Sequence, residues 1–202
     1  MYIGIAGNIG VGKTTLAKII SKELDFTLVE ESVDNNPFLE DFYSNTPRWA
    51  FPTQMYFVVN RLKNLISQKG NIVTDRTLIE DFKIFAEKMR IDGLISKREF
   101  DVYVDFYNLL KPLMPEPDLL VYAKASVPKL KSNILKRGRK MEFDLVSSKN
   151  TYIFDLNILY TNLMSSYDSK KLLTLDFDTL DVVKNKQDVH YILGEICSKL
   201  YL

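Results

Sequence analysis

The residues with the most recognisable spacing lie near the N-terminus, where the chain reads Gly7-Asn8-Ile9-Gly10-Val11-Gly12-Lys13-Thr14. This segment fits the pattern G-x-x-x-x-G-K-[ST] at every fixed position. Glycines let backbone N–H groups turn toward phosphate oxygens, and the start of a following helix adds positive partial charge. Lys13 can reach the outer phosphates, and the Thr14 hydroxyl can bind Mg²⁺. We therefore predict that this glycine loop, residues 7–14, binds a nucleoside triphosphate.

Charged residues follow two of the apolar segments that we predict to be strands. Asp75 and Arg76 come directly after Ile72-Val73, and Glu31 follows the second apolar segment. A carboxylate such as Asp75 can hold Mg²⁺, often through water, and a guanidinium can neutralise a phosphoryl group in transfer. Glu31 is the candidate general base, because a carboxylate near the γ-phosphate can take the proton of an attacking hydroxyl. The alternatives are a solvated loop acid at Glu31 and a strand-end ion pair at Asp75 and Arg76.

Two arginines flank a glycine in the segment Arg137-Gly138-Arg139. Guanidinium groups match phosphate oxygens in bidentate geometry, and a glycine hinge would let them close over a site and exclude water. The same residues also fit the ordinary basic end of a helix. An arginine lid over residues 137–148 and a plain helix end therefore both remain open.

A third group could recognise a nucleobase. Gln54 and Arg61 share a face of one predicted helix, and Asp81 and Phe85 are four residues apart on another. The amide both donates and accepts, so it can pair with an adenine, guanine or cytosine edge. Taken alone, these residues favour core packing with a surface ion pair.

The order of apolar segments predicts how these residues are positioned. Short apolar runs alternate with longer segments of helical periodicity, which favours an α/β fold. We expect three layers, a five-stranded parallel sheet flanked by helices, in a single domain over residues 1–202, with polar residues gathered at the strand carboxyl ends. The predicted strands are 2–6, 27–30, 71–74, 118–123 and 171–176. The predicted helices are 15–24, 51–69, 77–90, 96–114, 126–137, 150–167 and 180–200.

The amino-acid composition restricts the kinds of binding partner that we expect. The 27 Lys and Arg residues are balanced by 26 Asp and Glu residues, which argues against a nucleic-acid or membrane-surface partner. One cysteine cannot form an internal disulfide and suits a reducing compartment. The first predicted strand leads straight into the glycine loop, so no signal peptide is expected. We expect a cytoplasmic protein with small-molecule partners, no nucleic acid and no membrane.

Taken in order, the motifs resemble the deoxynucleoside kinases, and most closely the small bacterial deoxyadenosine/deoxyguanosine kinases. The resemblance covers almost the whole chain, and the ordered set is far more specific than the glycine loop alone. It rests on residues 7–14, Glu31-Ser32-Val33, Arg48-Trp49 with Gln54, Asp75-Arg76-Thr77 through Asp81 and Phe85, and Arg137-Gly138-Arg139 with Glu142.

The resemblance implies a P-loop kinase that phosphorylates deoxynucleosides at the 5′-hydroxyl with ATP and Mg²⁺, in nucleotide salvage. Deoxyadenosine is favoured, with deoxyguanosine and deoxycytidine as alternatives, and relatives that pair through helices imply a homodimer. The implied catalytic residues are Glu31, Arg76 and Lys13, and the implied Mg²⁺ residues are Thr14 and Asp75. The implied ATP contacts are Gly7, Asn8, Gly10, Val11, Gly12, Lys13, Thr14, Thr15, Arg137, Arg139, Asp176 and Phe177. The implied nucleoside contacts are Glu31, Tyr43, Gln54, Arg61, Arg76, Asp81, Phe85 and Glu142, with Tyr43 and Glu142 holding the sugar 3′-hydroxyl.

The chain departs from the family pattern at three places. Glu31-Ser32 stands where many relatives have Glu-Pro, and Asp75-Arg76-Thr77 stands where others have Glu-Arg-Ser. Some relatives carry a further arginine one turn before Arg137, where this chain has Asn133. The carboxylate and hydroxyl exchanges preserve the chemistry.

Three other functions compete with this interpretation. A nucleoside monophosphate kinase, such as one acting on thymidylate, shares the loop and the arginines, but Glu31 would repel its dianionic acceptor. A GTP-binding switch is suggested by Asn185-Lys186-Gln187-Asp188, which matches N-K-x-D. That match lies in polar, helix-like sequence, and the chain has no Asp-x-x-Gly, so we interpret it as a solvated helix face. A DNA-dependent ATPase lacks support, because there is no basic stripe.

Overall fold

The computed structural model describes residues 1–30, 36–139, 143–147 and 150–201. The chain divides into two units, each with its own apolar core. The first unit comprises Met1–Glu30, Lys69–Arg76 and Pro117–Leu202, and the second comprises Glu31–Gln68 and Thr77–Glu116. The single domain predicted over residues 1–202 stays a prediction.

The first unit contains the parallel sheet. Its strands are β1 Tyr2–Ala6, β2 Thr27–Val29, β3 Ile72–Asp75, β4 Leu119–Lys124 and β5 Leu172–Asp176. They lie in the order β2-β3-β1-β4-β5, and every neighbouring pair is parallel. All five residues of β1 are buried, as expected for a central strand of a sheet covered on both faces. The predicted five-stranded parallel sheet is confirmed.

Ten α-helices are described in chain order. They are α1 Lys13–Leu24, α2 Leu39–Ser44, α3 Thr46–Ile66, α4 Leu78–Glu80, α5 Glu87–Ile91, α6 Lys97–Leu110, α7 Val127–Arg137, α8 Phe143–Val146, α9 Tyr152–Ser165 and α10 Lys186–Tyr201. A π-helical segment, Asp81–Ala86, joins α4 to α5, and a 3₁₀ turn, Lys111–Leu113, follows α6. None of the helices in the described ranges has both the length and the apolar character needed to span a bilayer.

The core of the first unit packs helices against the sheet. Leu16 and Ile20, one turn apart on α1, pack in the same cluster as Ile5 of β1. Ile153 of α9 and Ile196 of α10 belong to the same cluster, and none of these five side chains is accessible to solvent. This packing fixes the two ends of the glycine loop, because β1 precedes the loop and α1 follows it.

The second unit is helical and has an aromatic centre. The ring of Phe82 lies 4.8 Å from that of Tyr103 and 4.1 Å from that of Tyr107, centroid to centroid. The predicted start of α3 at residue 51 is wrong, because the helix begins at Thr46 and continues through Pro52. The better start signal is Asn45, whose side chain accepts from the backbone N–H of Arg48.

The predicted start of α10 at residue 180 is also wrong. The helix begins at Lys186, and Asn185 is its N-cap, with its side-chain oxygen accepting from the N–H of Gln187 at 3.0 Å. The Asn185 amide donates to Asp188, whose other carboxylate oxygen accepts from the N–H of Asp181 at 2.7 Å. The N-K-x-D match is therefore a helix-capping arrangement, which removes the main argument for a GTP switch.

Candidate active site

The glycine loop leaves the carboxyl end of β1 and is closely packed on its inner side. Gly7, Gly10 and Gly12 have φ of +151°, +85° and +106°. A Cβ atom on Gly7 would lie 2.5 Å from the Ala123 carbonyl oxygen, and one on Gly10 would lie 2.8 Å from that of Leu130. The backbone angle disfavours a side chain at all three positions, and at Gly7 and Gly10 the space excludes one as well, so these two glycines are required for the shape of the loop.

Lys13 opens α1 and turns back over the loop. Its side chain is buried, and Nζ donates to the carbonyl oxygens of Gly7 at 2.7 Å and Asn8 at 3.2 Å. The residue before it, Gly12, has no side chain that could cap the helix. The N–H groups of the first turn, residues 13–15, thus lie at a helix N-terminus, which favours anionic ligands.

Thr14 and Asp75 lie together, as expected for a shared magnesium site. The Thr14 hydroxyl donates to Oδ2 of Asp75 at 2.5 Å, and Asp75 is buried at the end of β3. Mg²⁺ binds oxygen ligands and keeps several waters, so one hydroxyl and one carboxylate form a suitable protein contribution. In the described part of the chain, no group of three or more His, Cys, Asp or Glu residues could hold a metal.

Arg76 has an unusual backbone at the end of β3. Its φ is +84°, a left-handed conformation that is rare for residues other than glycine. Its N–H donates to the Ile5 carbonyl at 3.0 Å, and the residue is buried. Strained conformations of this kind cluster at functional sites, which supports the predicted role of this residue.

The remaining predicted ATP contacts in the loop region differ in exposure. Val11 is buried in the core, whereas Thr15 on α1 is exposed. Phe177 is buried, and a Cβ on Gly12 would lie 3.9 Å from its ring. Asp176 is exposed and accepts from the N–H of Asp178 at 2.9 Å. Phe177 thus supports the glycine loop from the core.

The predicted lid arginines lie at and just beyond the end of α7. Arg137 is the last residue of that helix, and Gly138 has φ +70°, the usual left-handed helix cap. Arg137 and Arg139 are both exposed. Residues 140–142 and 148–149 of the predicted lid lie outside the described residues. The arginine lid is therefore not confirmed and stays a prediction.

A buried ion pair is the main feature of the predicted base-recognition residues in the second unit. Arg61 of α3 donates through Nε to Oδ2 of Asp81 at 2.6 Å and through Nη2 to Oδ1 at 3.3 Å. The two side chains are only 9% and 4% exposed, so the expectation of a surface ion pair is wrong. The Tyr103 hydroxyl donates to the Asp81 carbonyl at 3.4 Å. Burial, and then the charge of Asp81, raise the pKa of Tyr103 well above its usual value, which keeps this donor protonated.

Gln54 and Phe85 lie on the helical segments that carry this pair. Gln54 of α3 is 3% exposed, and its Oε1 accepts no hydrogen bond from any described residue. Phe85 is half-buried in the π-helical segment, a distortion that often marks functional sites. Tyr43 of α2 is exposed, with its ring in edge contact with Phe42.

Two predicted residues, Glu31 and Glu142, lie outside the described residues. In contrast, the structure brings two residues to the glycine loop that sequence reasoning did not select. Asn133 of α7 donates to the Gly10 carbonyl, and Asn157 of α9 bonds the Asn8 side chain. Asn133 was noted only as a departure from the family pattern, and no sequence signal links either asparagine to the loop, because a single asparagine in a helix has no characteristic spacing to it.

Comparison with known proteins identifies the family of this chain. The family model described as "Deoxynucleoside kinase" matches residues 3–201. The deoxyadenosine/deoxycytidine kinase of Bacillus subtilis is 32% identical over 204 residues, which span 98% of this chain and 93% of that protein. The deoxyguanosine kinase of Lactobacillus johnsonii is 34% identical over 206 residues, which span 98% of this chain and 92% of that protein.

A solved structure shares the fold over the same extent. The deoxyadenosine kinase of M. mycoides, solved with the products dCMP and a flexible dCDP bound, superposes with a TM-score of 0.83 at 31% identity. The match covers 98% of this chain and 99% of that one. The chain therefore belongs to the deoxynucleoside kinase family, which confirms the predicted family, P-loop kinase fold and enzyme class.

Proposed function

We propose that this enzyme transfers the γ-phosphoryl group of ATP to the 5′-hydroxyl of a deoxynucleoside, with deoxyadenosine preferred. The observation that carries the donor half is the contact between Thr14 and Asp75 beside the glycine loop. It brings a hydroxyl and a carboxylate together at the helix N-terminus where Lys13 begins α1. These are the groups that a magnesium-bound triphosphate requires.

On the donor side, the loop N–H groups and Lys13 bind the phosphates. Lys13 would exchange its contacts with the loop carbonyls for phosphate oxygens, because an ammonium prefers the more negative acceptor. Thr14 and Asp75 would hold Mg²⁺, which supplies charge neutralisation when it is bound. Arg137 and Arg139 would add positive charge near the donor.

On the acceptor side, Glu31 would accept the proton of the 5′-hydroxyl as that oxygen attacks the γ-phosphorus in line. Arg76 would bridge the 5′-oxygen and the phosphates, and its strained backbone is consistent with a side chain held for that purpose. Tyr43 and Glu142 would hold the 3′-hydroxyl of the sugar. Phe85 would stack on the base.

The base preference rests on Gln54. Its buried Oε1 suits a donor such as the exocyclic amine of adenine, while the amide N–H₂ can donate to adenine N1. Cytosine offers the same pattern, and guanine can pair by the reversed amide. The names of the relatives span deoxyadenosine, deoxycytidine and deoxyguanosine, so the similarity alone does not select a base.

The test is a phosphoryl-transfer panel with ATP as the donor and the four deoxynucleosides, adenosine and deoxyadenosine monophosphate as acceptors. We expect the highest kcat/KM with deoxyadenosine and negligible transfer to the monophosphate. A preference for the monophosphate would overturn the proposed acceptor class. Preference for another deoxynucleoside would overturn only the choice of base.

The role of Glu31 is tested by Glu31→Gln, with the neighbouring Glu30→Gln as the matched control. Glu30 is exposed and its carboxylate pairs with Lys18 at 3.0 Å, so replacing that carboxylate by the glutamine amide should leave turnover unchanged. Loss of the general base should lower kcat about 10²-fold or more while ATP binding persists. Near-normal turnover in Glu31→Gln would remove this residue from the role.

We also propose a cytoplasmic homodimer. Apolar side chains are exposed on two helices of the second unit, Val59 and Ile66 on α3 and Val102 and Leu109 on α6. Their burial against a second copy would remove apolar surface from water. Light scattering coupled to gel filtration should give twice the 23.4 kDa chain mass, and a monomer would contradict the dimer.

A further inference from the structure

The glycine loop contains a tight turn over residues 8–11. The N–H of Val11 donates to the Asn8 carbonyl at 3.3 Å, and Gly10, the third residue of the turn, has φ +85°. This is the conformation that a type II turn requires at that position. The turn sets the direction of the peptide groups just before the helix N-terminus.

A helix outside the loop holds the far end of this turn. Nδ2 of Asn133, on α7, donates to the Gly10 carbonyl oxygen at 2.9 Å. The neighbouring turn of α7 packs against the same residue, since a Cβ on Gly10 would lie 2.8 Å from Ile134 Cγ1. A peptide group whose carbonyl is fixed in this way has its N–H fixed in the opposite direction.

A second helix holds the near end of the turn. The buried Asn8 side chain donates to the Ile153 carbonyl at 2.9 Å and to Oδ1 of Asn157 at 2.8 Å, both on α9. Its own Oδ1 accepts from the N–H of Ile9 at 2.8 Å. Asn157 in turn donates to the Ala125 carbonyl, just after β4, at 3.0 Å. The Asn8 amide thus has no remaining donor directed toward a ligand in this arrangement.

We infer that Asn133 and Asn157 are positioning residues for the triphosphate donor, which hold the turn of residues 8–11 in its anion-binding shape before the donor arrives. This inference rests on the proposed function, because the ligand of the loop is taken to be MgATP. Asn133 acts through the Gly10 carbonyl, and Asn157 acts through the Asn8 side chain.

The physical gain is preorganisation. A loop of three glycines has many accessible backbone conformations, and ordering it on binding would weaken the affinity for the donor. Two amides from separate helices remove that freedom in advance. Removing these two amides should therefore weaken donor binding and leave acceptor binding unchanged. A general loss of stability would instead weaken the binding of both ligands.

The test compares four variants of the full chain. Asn133→Asp keeps the size of the side chain but removes the donor and places a carboxylate oxygen against the Gly10 carbonyl. Ser132→Asp adds the same charge one residue earlier and is its control. Asn157→Leu removes the contacts to Asn8 and Ala125, and Asn162→Leu, on the exposed surface of the same helix, is its control. Dissociation constants for MgATP and for deoxyadenosine are measured separately by titration calorimetry, with thermal unfolding recorded for each variant.

We expect Asn133→Asp and Asn157→Leu to raise the MgATP dissociation constant about tenfold. The dissociation constant for deoxyadenosine should stay within about twofold of its value in the unaltered enzyme. In the two control variants, the dissociation constants for MgATP and for deoxyadenosine should both stay within the same range. Unchanged MgATP binding in folded Asn133→Asp would overturn the inference. If Asn157→Leu does not fold, Asn133→Asp, whose side chain is only half-buried, decides the outcome. Failure of the unaltered enzyme to bind MgATP would instead overturn the proposed function.

Discussion

The glycine loop in the first unit and the predicted base-recognition residues in the second are held in shape by different means. In the first unit, the predicted phosphate site is formed by consecutive residues and mainly by backbone groups. The loop runs over residues 7–14, and its shape depends on glycines with positive φ. In the second unit, side chains twenty residues apart, Arg61 and Asp81, form a buried pair on separate helical segments. A backbone site is damaged by adding atoms, whereas a side-chain site is damaged by removing them.

This difference decides what a mutation reveals about each unit. In the loop, an added methyl group tests the space that the backbone requires, and the result is a change in donor binding. In the helical unit, a removed charge tests the ion pair, and the proposed function predicts a change in both stability and acceptor binding. Donor and acceptor constants must therefore be measured separately for every variant.

The largest effect is expected from breaking the buried ion pair with Asp81→Leu. Arg61 would then lose the carboxylate that accepts from its Nε and Nη2, which should lower the free energy of unfolding by about 3–5 kcal/mol. The deoxyadenosine KM should rise about 10²-fold, while the MgATP dissociation constant changes little. Urea unfolding and steady-state kinetics measure the two effects.

A double variant separates those two effects. Arg61→Leu combined with Asp81→Leu removes both charges, so most of the lost stability should return, because neither member of this pair is left buried without the other. The acceptor KM should stay high. Recovery of the acceptor KM along with the stability would show that the pair has no part in recognising the nucleoside.

A medium effect is expected from Gly10→Ala in the loop. The new Cβ would meet the Leu130 carbonyl and Ile134 at 2.8 Å in a backbone conformation unfavourable for alanine. We expect a tenfold rise, on the order of 1.4 kcal/mol, in the MgATP dissociation constant, together with a comparable loss of stability. Gly70→Ala is the matched control, since Gly70 has φ +82° but an added Cβ there would have no described atom within 4 Å. Equal donor binding in the two variants would contradict the close packing of the loop.

The smallest effect is expected from Ser96→Ala at the start of α6, which should lower stability by about 1 kcal/mol without changing either dissociation constant. Ser96 and Glu99 form a reciprocal cap, and the Ser96 hydroxyl, followed by its N–H, lowers the pKa of Glu99. A lowered folded-state pKa stabilises the protein above the ordinary value of 4.5, and that stabilisation is lost as the pH falls through the lowered value. The stability difference between the variant and the parent should therefore shrink below pH 4.5, and a difference that grew there would contradict the cap.

The parts of the fold that follow from local pattern were predictable. The glycine loop, the five strands and the helix ending at Arg137 follow from residue spacing and apolar runs, and the structure places them as expected. The proximity of Thr14 and Asp75 was also predictable, because parallel strands bring their carboxyl ends to one edge. Their shared role in holding Mg²⁺ stays a prediction.

The parts that depend on tertiary contacts were not predictable. No local pattern distinguishes a buried Arg61–Asp81 pair from an exposed one, or reveals that residues 81–86 adopt a π-helix. Apolar spacing predicted a helix start at residue 51, yet the preceding turn, capped by Asn45, extends the helix in front of it. Asn133 and Asn157 became visible only when α7 and α9 were placed beside the loop.

The capping arrangement at Asn185 and Asp188 bears on the use of the pattern N-K-x-D as a sequence signal for guanine nucleotide binding. Asparagine at a helix cap and an acid in the first turn are common for reasons of local energy, so the spacing that suggests guanine specificity will recur by chance in helical proteins. Automated assignments of GTP dependence from this short pattern should therefore require a preceding buried strand, a condition that residues 180–185 of this chain do not meet.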